Sequence, residues 1–192
     1  YDSQGWQIAT HAQGDIAIRE ILDIFKTVGI KYDKDSRHRL EHCLLLEESS
    51  IKKMATLNIH PSFHINHLYY YGEALAKDII GEKRTSQILP VATAEKYALR
   101  YSLHADQPMF RSDPLHLIHT AVNRKTRDGK LIGPHNKVAV QSALKAMTIH
   151  SAWQIKMEDK IGSIKKDKYA DFVILAENPM EVSFEKIKDI QI

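Results

Sequence analysis

Apolar positions along this chain switch repeatedly between a short run and a helical spacing. Gln7 to Thr10 read as a first strand, and Gly14-Asp15 then open a helix with Asp15 as its N-cap. Ala17, Ile18, Ile21, Leu22, Phe25 and Val28 hold helical spacing until Gly29 ends it, and Tyr32 to Ser36 form a polar loop. His38 to Cys43 read as a second strand, prolonged by Leu44-Leu45-Leu46. Ser49 or Ser50 caps a short helix through Ile51, Met54, Ala55 and Leu57, which stops at Asn58. Ile59 to Ile65 make a third strand, weakened by Pro61, which demands an edge, a bulge or a strand start. Leu68 to Thr85 carry three tyrosines and a charged portion without a firm pattern, so this stretch reads as an active-site loop.

Ala92 to Leu99 give another short helix, and Tyr101 to Asp106 a fourth strand that Pro108 stops. Asp113-Pro114 places a cap and then a proline at the start of a helix whose face is Leu115, Ile118, His119 and Val122. Lys125 to Pro134 form a loop, and Lys137 to His150 a helix with Val138, Val140, Ala143, Leu144 and Met147 on its apolar side. Beyond it the period shortens. Lys160 to Lys165 and Ala170 to Leu175 predict a hairpin turning at Lys166-Asp167-Lys168. Asn178-Pro179 breaks its second arm, and Ile187 to Ile192 predict a third strand.

Strand–helix alternation, four times over, implies an α/β fold with a parallel sheet. It suits half of a (β/α)8 barrel, in which chemistry sits at the C-terminal ends of the strands. A complete barrel needs about 250 residues, more than 192 residues with an added β segment provide. The chain opens on Tyr1 rather than Met, so a piece of something longer is expected.

Composition narrows the class. Hydrophobic residues make up 43% and charged residues 27%, as in ordinary globular domains. No apolar run reaches the about 18 residues of a membrane span, and residues 1–5 do not resemble a signal peptide. The net charge of +3 comes from lysines scattered among acids, so Lys165-Lys166-Asp167-Lys168 reads as a solvated turn, not a nucleic-acid patch. One cysteine, Cys43, rules out an internal disulfide framework and suits a reducing, cytoplasmic setting.

The 11 histidines are the unusual feature. His11, His42 and Asp106 each close a strand, and barrel strand ends converge on one mouth. Imidazoles with a carboxylate there suit Zn2+ or another first-row divalent ion. His64 closes the third strand and reads as a donor to substrate. His60, His64 and His67 are closely spaced, but Pro61 prevents the regular helix that would align them. His116 and His119 read as helix-face residues, and a regular strand turns His104 away from the neighbours of Asp106. Cys43 reads as a buried thiol.

The segments Thr10-His11-Ala12-Gln13-Gly14-Asp15, Arg39-Leu40-Glu41-His42, Pro61-Ser62-Phe63-His64 and His104-Ala105-Asp106-Gln107-Pro108 stand in a telling order. With Gly162-Ser163-Ile164 and Tyr169 to Leu175, they resemble the amidohydrolase superfamily, in its YtcJ-like branch that includes N-substituted formamide deformylases. The resemblance implies that residues 1–155 are strands five to eight of a distorted TIM barrel. Residues 156–192 would then be returning strands of a small composite β-sandwich. It implies a metal-dependent hydrolase of non-peptide C–N bonds, with one or two divalent ions, most simply Zn2+. By the same resemblance His11 and His42 are metal ligands, and Asp106 is both ligand and general base. His64 and Arg39 face the substrate. The His-x-His pair of the first strand would lie before Tyr1, so the partners expected are a small-molecule substrate and the preceding half of the protein. Exposed strand edges would also favour pairing with a second copy. The isolated piece is expected to be inactive. A regulatory or binding protein that keeps the fold without catalysis is the alternative.

Overall fold

A computed structural model describes residues 4–28 and 35–192; the expected stop at Gly29 and most of the loop at Tyr32 to Ser36 lie outside them. Four strands, β1 (Ala9–Ala12), β2 (Arg39–His42), β3 (His60–His64) and β4 (Ser102–His104), form one parallel sheet in the order β1-β2-β3-β4. The first strand thus begins two residues later than its apolar pattern suggests and takes in His11. In register, His11 stands beside Glu41, Glu41 beside Ser62, and Ser62 beside Ser102, while His64 pairs with His104.

Strand alternation gives the sheet two unlike faces. Leu40, Phe63 and Leu103 lie on one face, buried in a single apolar core. Above them pack α1 (Asp15–Thr27), with Ile18, Leu22 and Phe25 buried at helical spacing, and α2 (Glu48–Leu57), with Ile51, Met54 and Leu57. Arg39, Glu41, Ser62, Ser102 and His104 share the opposite, polar face. The candidate site residues belong to that polar face and to its C-terminal rim.

Local signals set most of the helix ends, though not always at the expected residue. Gly14, extended at φ −82° and ψ 148°, is the N-cap of α1, and Asp15 sits one position in, where its charge favours the positive end of the helix dipole. Glu47 rather than Ser49 or Ser50 precedes α2, and Ser50 is buried within it. Asn58 ends α2 in the left-handed conformation at φ 52°, which Asn tolerates, and Ile59 N–H reaches back to Met54 O at 3.0 Å.

Pro61 lies in an inner strand, yet removes no bond from the β3–β4 ladder, which begins only at Ser62↔Ser102. Gln154 fills the space before it, its Nε2 donating to Pro61 O at 3.0 Å and Arg100 O at 2.9 Å. Pro61 is therefore tolerated as a strand-start proline.

The stretch Leu68 to Thr85 is not a loop. It is helical throughout most of its length: α3 (Asn66–Ala74), a π-helical turn (Leu75–Ile79) and α4 (Gly81–Thr85). Leu68, Gly72, Leu75 and Ala76 are its buried positions, a helical spacing that the tyrosines and charges between them obscure. Gly72 allows the close approach of the following loop: a Cβ there would stand 2.9 Å from Thr126 Cγ2.

After α5 (Val91–Lys96) and β4, α6 (Pro114–Asn123) starts as expected, with Asp113 accepting from His116 N at 3.1 Å. The single helix predicted over Lys137 to His150 is two, α7 (Val140–Met147) and α8 (Ile149–Gln154), broken where Thr148 takes φ −126° and ψ −95°.

The C-terminal segment departs most from its pattern. Residues 160–175 contain no strand, although Tyr169 N–H reaches Lys160 O at 2.8 Å across the expected hairpin. Residues 184–189 form a 3-10 helix where a strand was predicted, anchored by Asn123 Nδ2 to Phe184 O at 2.8 Å. The physical reason is exposure. Ile164 is 81% and Ile174 85% accessible, with Phe172 and Val173 beside it, so no sheet face covers these side chains among the described residues. Two strands alone are marginal without such cover. Among the described residues, no helix is long and apolar enough to cross a membrane.

Candidate metal centre

The C-terminal rim of the polar face gathers five histidines and one aspartate. Alternation alone would send His42 to the apolar face with Leu40. Instead His42 and Cys43 adopt φ values of 74° and 53° at the end of β2. The His42 ring lies among His11, His64 and His104, at centroid distances of 4.5, 5.8 and 5.1 Å. Left-handed backbone at a non-glycine costs on the order of 1 kcal/mol or more, and two consecutive cases are held by the surrounding structure. Cys43 N–H bonds Ala12 O at 3.0 Å, and its thiol is fully buried, pointing to Leu40 O at 3.3 Å. Burial pushes that thiol well above its ordinary range, so it is an inert core group as expected.

Asp106 follows β4 with φ 54°, in a turn closed by Met109 N–H to Asp106 O at 2.8 Å. Its Oδ2 stands 4.0 Å from His42 Nδ1 and 3.9 Å from His64 Nδ1, and its side chain is 44% exposed to the cleft. His104, expected to turn away, points into the same group. Its Nε2 lies 3.2 Å from His42 Nδ1, and its Nδ1 lies 2.7 Å from Ser62 Oγ. Three donor atoms, one each from His42, His64 and His104, fall within 4.8 Å of one another.

His64 is the most telling member. It is fully buried, and neither ring nitrogen has a hydrogen-bond partner. Two bare, buried imidazole nitrogens are costly unless something else meets them. Burial first, and then the neighbouring His67, His104 and His42, push its pKa down to about 3. Burial likewise lowers His104 and His67 to about 4 each and depresses His42. All four imidazoles are therefore neutral at pH 7, the form that ligates cations. These donors fit a first-row divalent ion: neutral nitrogen ligands, a carboxylate beside them, and unpartnered lone pairs in a buried pocket.

A cleft of about 410 Å3 opens over the group, lined by Glu41, His42, Ser62, His104, Ala105, Asp106, Gln107 and Ser112. Aromatic rings close its flank: Phe110 packs 5.5 Å from His64 and stacks on Tyr70 at 4.5 Å, and His67 lies 3.9 Å from His64. His11, on the edge strand, is exposed and reaches the group through its contact with His42. Arg39 lies deeper in the polar face. Its Nε donates to Glu41 Oε1 at 3.0 Å and its Nη1 to Gln154 O at 2.8 Å, so it borders the cleft through Glu41. His60, grouped by spacing with His64 and His67, stands at the opposite end of β3. Of the site residues, His104 was expected to face away, His67 was set aside with His60 because of Pro61, and Ser62 was given no role of its own. Residues two apart on a strand share a face, so alternation places His104 with Asp106 and Ser62 with His64.

The amidohydrolase family matches over residues 1–192. The chain belongs to the amidohydrolase family. It is 33% identical over 180 residues to Protein LONG AFTER FAR-RED 3 of Arabidopsis thaliana, covering 92% of this chain and 31% of that protein. It is 27% identical over 188 residues to the N-substituted formamide deformylase of Arthrobacter pascens, covering 98% of this chain and 35% of the enzyme. Among solved structures it resembles an uncharacterized metal-dependent hydrolase from Pyrococcus horikoshii OT3, with a TM-score of 0.80 and 25% identity, over 95% of this chain and 36% of that one. The chain spans about a third of the length of the curated relatives it matches. The histidines and the aspartate gather at the C-terminal rim of a parallel sheet, the end at which α/β sheets commonly bind their ligands.

Proposed function

We propose that this amidohydrolase chain supplies part of the active site of a metal-dependent hydrolase of non-peptide C–N bonds, of the amide or formamide type. The observation that carries the reading is the buried His64, bare at both ring nitrogens, facing His42, His104 and the Asp106 carboxylate beneath an open cleft. In this reading His11, His42 and Asp106 hold a divalent cation, most simply Zn2+, and His64 and Arg39 serve the substrate. Residues 1–155 act as strands five to eight of a (β/α)8 barrel. Residues 156–192 belong to a β layer that takes strand form only against further strands. The working protein is cytoplasmic, and its strand edges are covered by the rest of the barrel or by a second copy.

When bound, the cation supplies acidification of a water molecule and polarisation of the scissile carbonyl. The chain's own residues do the rest. Asp106, half exposed and within about 4 Å of two imidazoles, takes the water's proton at Oδ2 and passes it to the departing nitrogen. His64, neutral and deep, donates or accepts at the substrate carbonyl side, and the Phe110–Tyr70 wall keeps bulk water from that flank. Hydrolysis consumes one water and yields an amine and a carboxylic acid, or formate for a formamide.

The test pairs metal analysis of the full-length protein with a panel of N-acyl and N-formyl amines. Expected is a bound divalent ion and amine release that stops on chelation. A protein free of divalent metal and inert on the whole panel would overturn the proposal and favour a binding or regulatory role.

A further inference from the structure

We propose that His104 is a further ligand of this cation centre and that Ser62 is the residue that positions it. The inference rests on the metal-dependent reading above, which gives the cation to His11, His42 and Asp106 and leaves His104 and Ser62 without a role. Ser62 and His104 come from neighbouring strands on the same polar face, two positions before His64 and Asp106 respectively. Their contact is short, Ser62 Oγ to His104 Nδ1 at 2.7 Å. It occupies one ring nitrogen and leaves Nε2 aimed at the group, 3.2 Å from His42 Nδ1.

The chemistry of that second contact decides the role. Two facing imidazole nitrogens can share one proton, but then neither is a free donor. With Nδ1–H given to Ser62, His104 keeps a bare lone pair at Nε2, directed at the same space as the His42 lone pair. A cation between them meets both, with His64 in reach, since the three donor atoms lie within 4.8 Å of one another. This is the arrangement in which a ligating histidine is held by a partner on its other nitrogen, which fixes both ring tilt and tautomer. Ser62 is well suited because it is buried, at 5% exposure, and inner-strand backbone holds it rigidly. The centre would then take two donors from the end of β4, His104 and Asp106, instead of a carboxylate alone.

Cobalt(II) loading of the full-length protein tests this without reference to turnover. Visible ligand-field bands report the coordination sphere, and competition with a chromophoric chelator reports affinity. His104→Gln is expected to move the bands and weaken Co2+ binding by ~10–100-fold or more. Ser62→Ala is expected to weaken it by about 10-fold, within the range for such supporting contacts, and Ser62→Thr to restore it. Wild-type bands and affinity in His104→Gln overturn the proposal and leave the hydrolase reading intact. If His104→Gln loses its circular-dichroism signature, Ser62→Ala decides: unchanged affinity there overturns the proposal. Failure of the wild-type protein to take up Co2+ overturns both readings.

Discussion

The two ends of the same sheet hold buried histidines that do opposite things. At the N-terminal end, His38 and His60 are spent on the fold. His38 Nδ1 accepts from Ile8 N at 3.0 Å, and His60 Nδ1 accepts from Arg100 N at 3.2 Å. His60 Nε2 meets Asn58 Oδ1 at 3.2 Å, and its ring packs edge-on against Trp153 at 4.6 Å. Arg37 and Arg100 flank that tryptophan at 4.7 and 4.4 Å, closing the floor. At the C-terminal end, the ring nitrogens of His64 on the very same strand make no close hydrogen bond, and its neighbours are other imidazoles and a carboxylate. Burial lowers the pKa of both, His60 to about 4 and His64 to about 3. A depressed pKa therefore does not distinguish a site from a support. What sets His64 apart is the company of other imidazoles and a carboxylate around its ring.

The largest break in this contrast is expected from Asp106→Asn. If the proposed amide hydrolysis is right, removing this proton acceptor should cost ~10²–10⁴-fold in kcat. The thermal midpoint of the metal-free variant should stay near that of the metal-free wild type, because Asp106 is 44% exposed at the rim. His60→Ala, by contrast, should leave kcat nearly intact. Steady-state kinetics with scanning calorimetry on both variants checks the pair, and a floor variant that abolishes turnover would undo the division.

Chelation is the next largest effect. If the rim holds a cation tightly, stripping it should remove about 3–4 kcal/mol of stability at ion concentrations of ~100–1,000 times the dissociation constant. The drop in thermal midpoint on adding EDTA should vanish in His42→Ala, which lacks the ring at the centre of the group, and persist in His60→Ala. An EDTA response equal in all three proteins would mean that the ion sits elsewhere.

How much of this could be read from the residues alone follows the same division. The four strands, the first helix, the Asn58 stop and the Asp113-Pro114 start were legible, because each depends on neighbours within one turn. The strand-end positions of His11, His42, His64 and Asp106 were legible for the same reason. The inward turn of His42 was not, since it depends on left-handed backbone at two non-glycine residues. His104 was expected to turn away from the neighbours of Asp106, yet residues two apart on a strand share a face, and its ring points into the group. The helical stretch from Asn66 to Thr85 hid its buried spacing behind exposed tyrosines. Residues 160–175 have strand composition but no face to pack against among the described residues, and composition cannot report what covers it.

A smaller effect comes from the floor itself. His60→Ala leaves the Arg100 amide without its acceptor and removes the ring against Trp153. A buried donor stripped of its partner costs about 1–3 kcal/mol. The midpoint in urea should fall accordingly, with the metal content of the full-length protein unchanged. An equal loss of stability and of metal would show that the two ends are not independent.

The smallest signal, read per unit of pH, sharpens the comparison most. His60 is held neutral in the folded chain, its pKa pushed down to about 4 by burial first and then by Arg100, His150 and Arg37. Unfolded, it titrates near the ordinary value of 6.5. Between about pH 6.5 and 4 the unfolded state therefore binds a proton that the folded state does not. Stability must then rise with pH across that window and level off above it, by at most ~1.4 kcal/mol per pH unit for one group. His60→Gln removes that proton while keeping polar atoms near Asn58 and Arg100. Urea unfolding at pH 5 and pH 7 should show a shallower difference for the variant than for the wild type. Zn2+ added in excess should deepen the acid sensitivity contributed by the rim imidazoles, because a ligated imidazole resists protonation in the folded chain while its unfolded counterpart still titrates, and leave the His60 share untouched. An acid sensitivity that ignores both His60 and added metal would assign it to other carboxyl and imidazole groups and remove this measure of the difference between floor and rim.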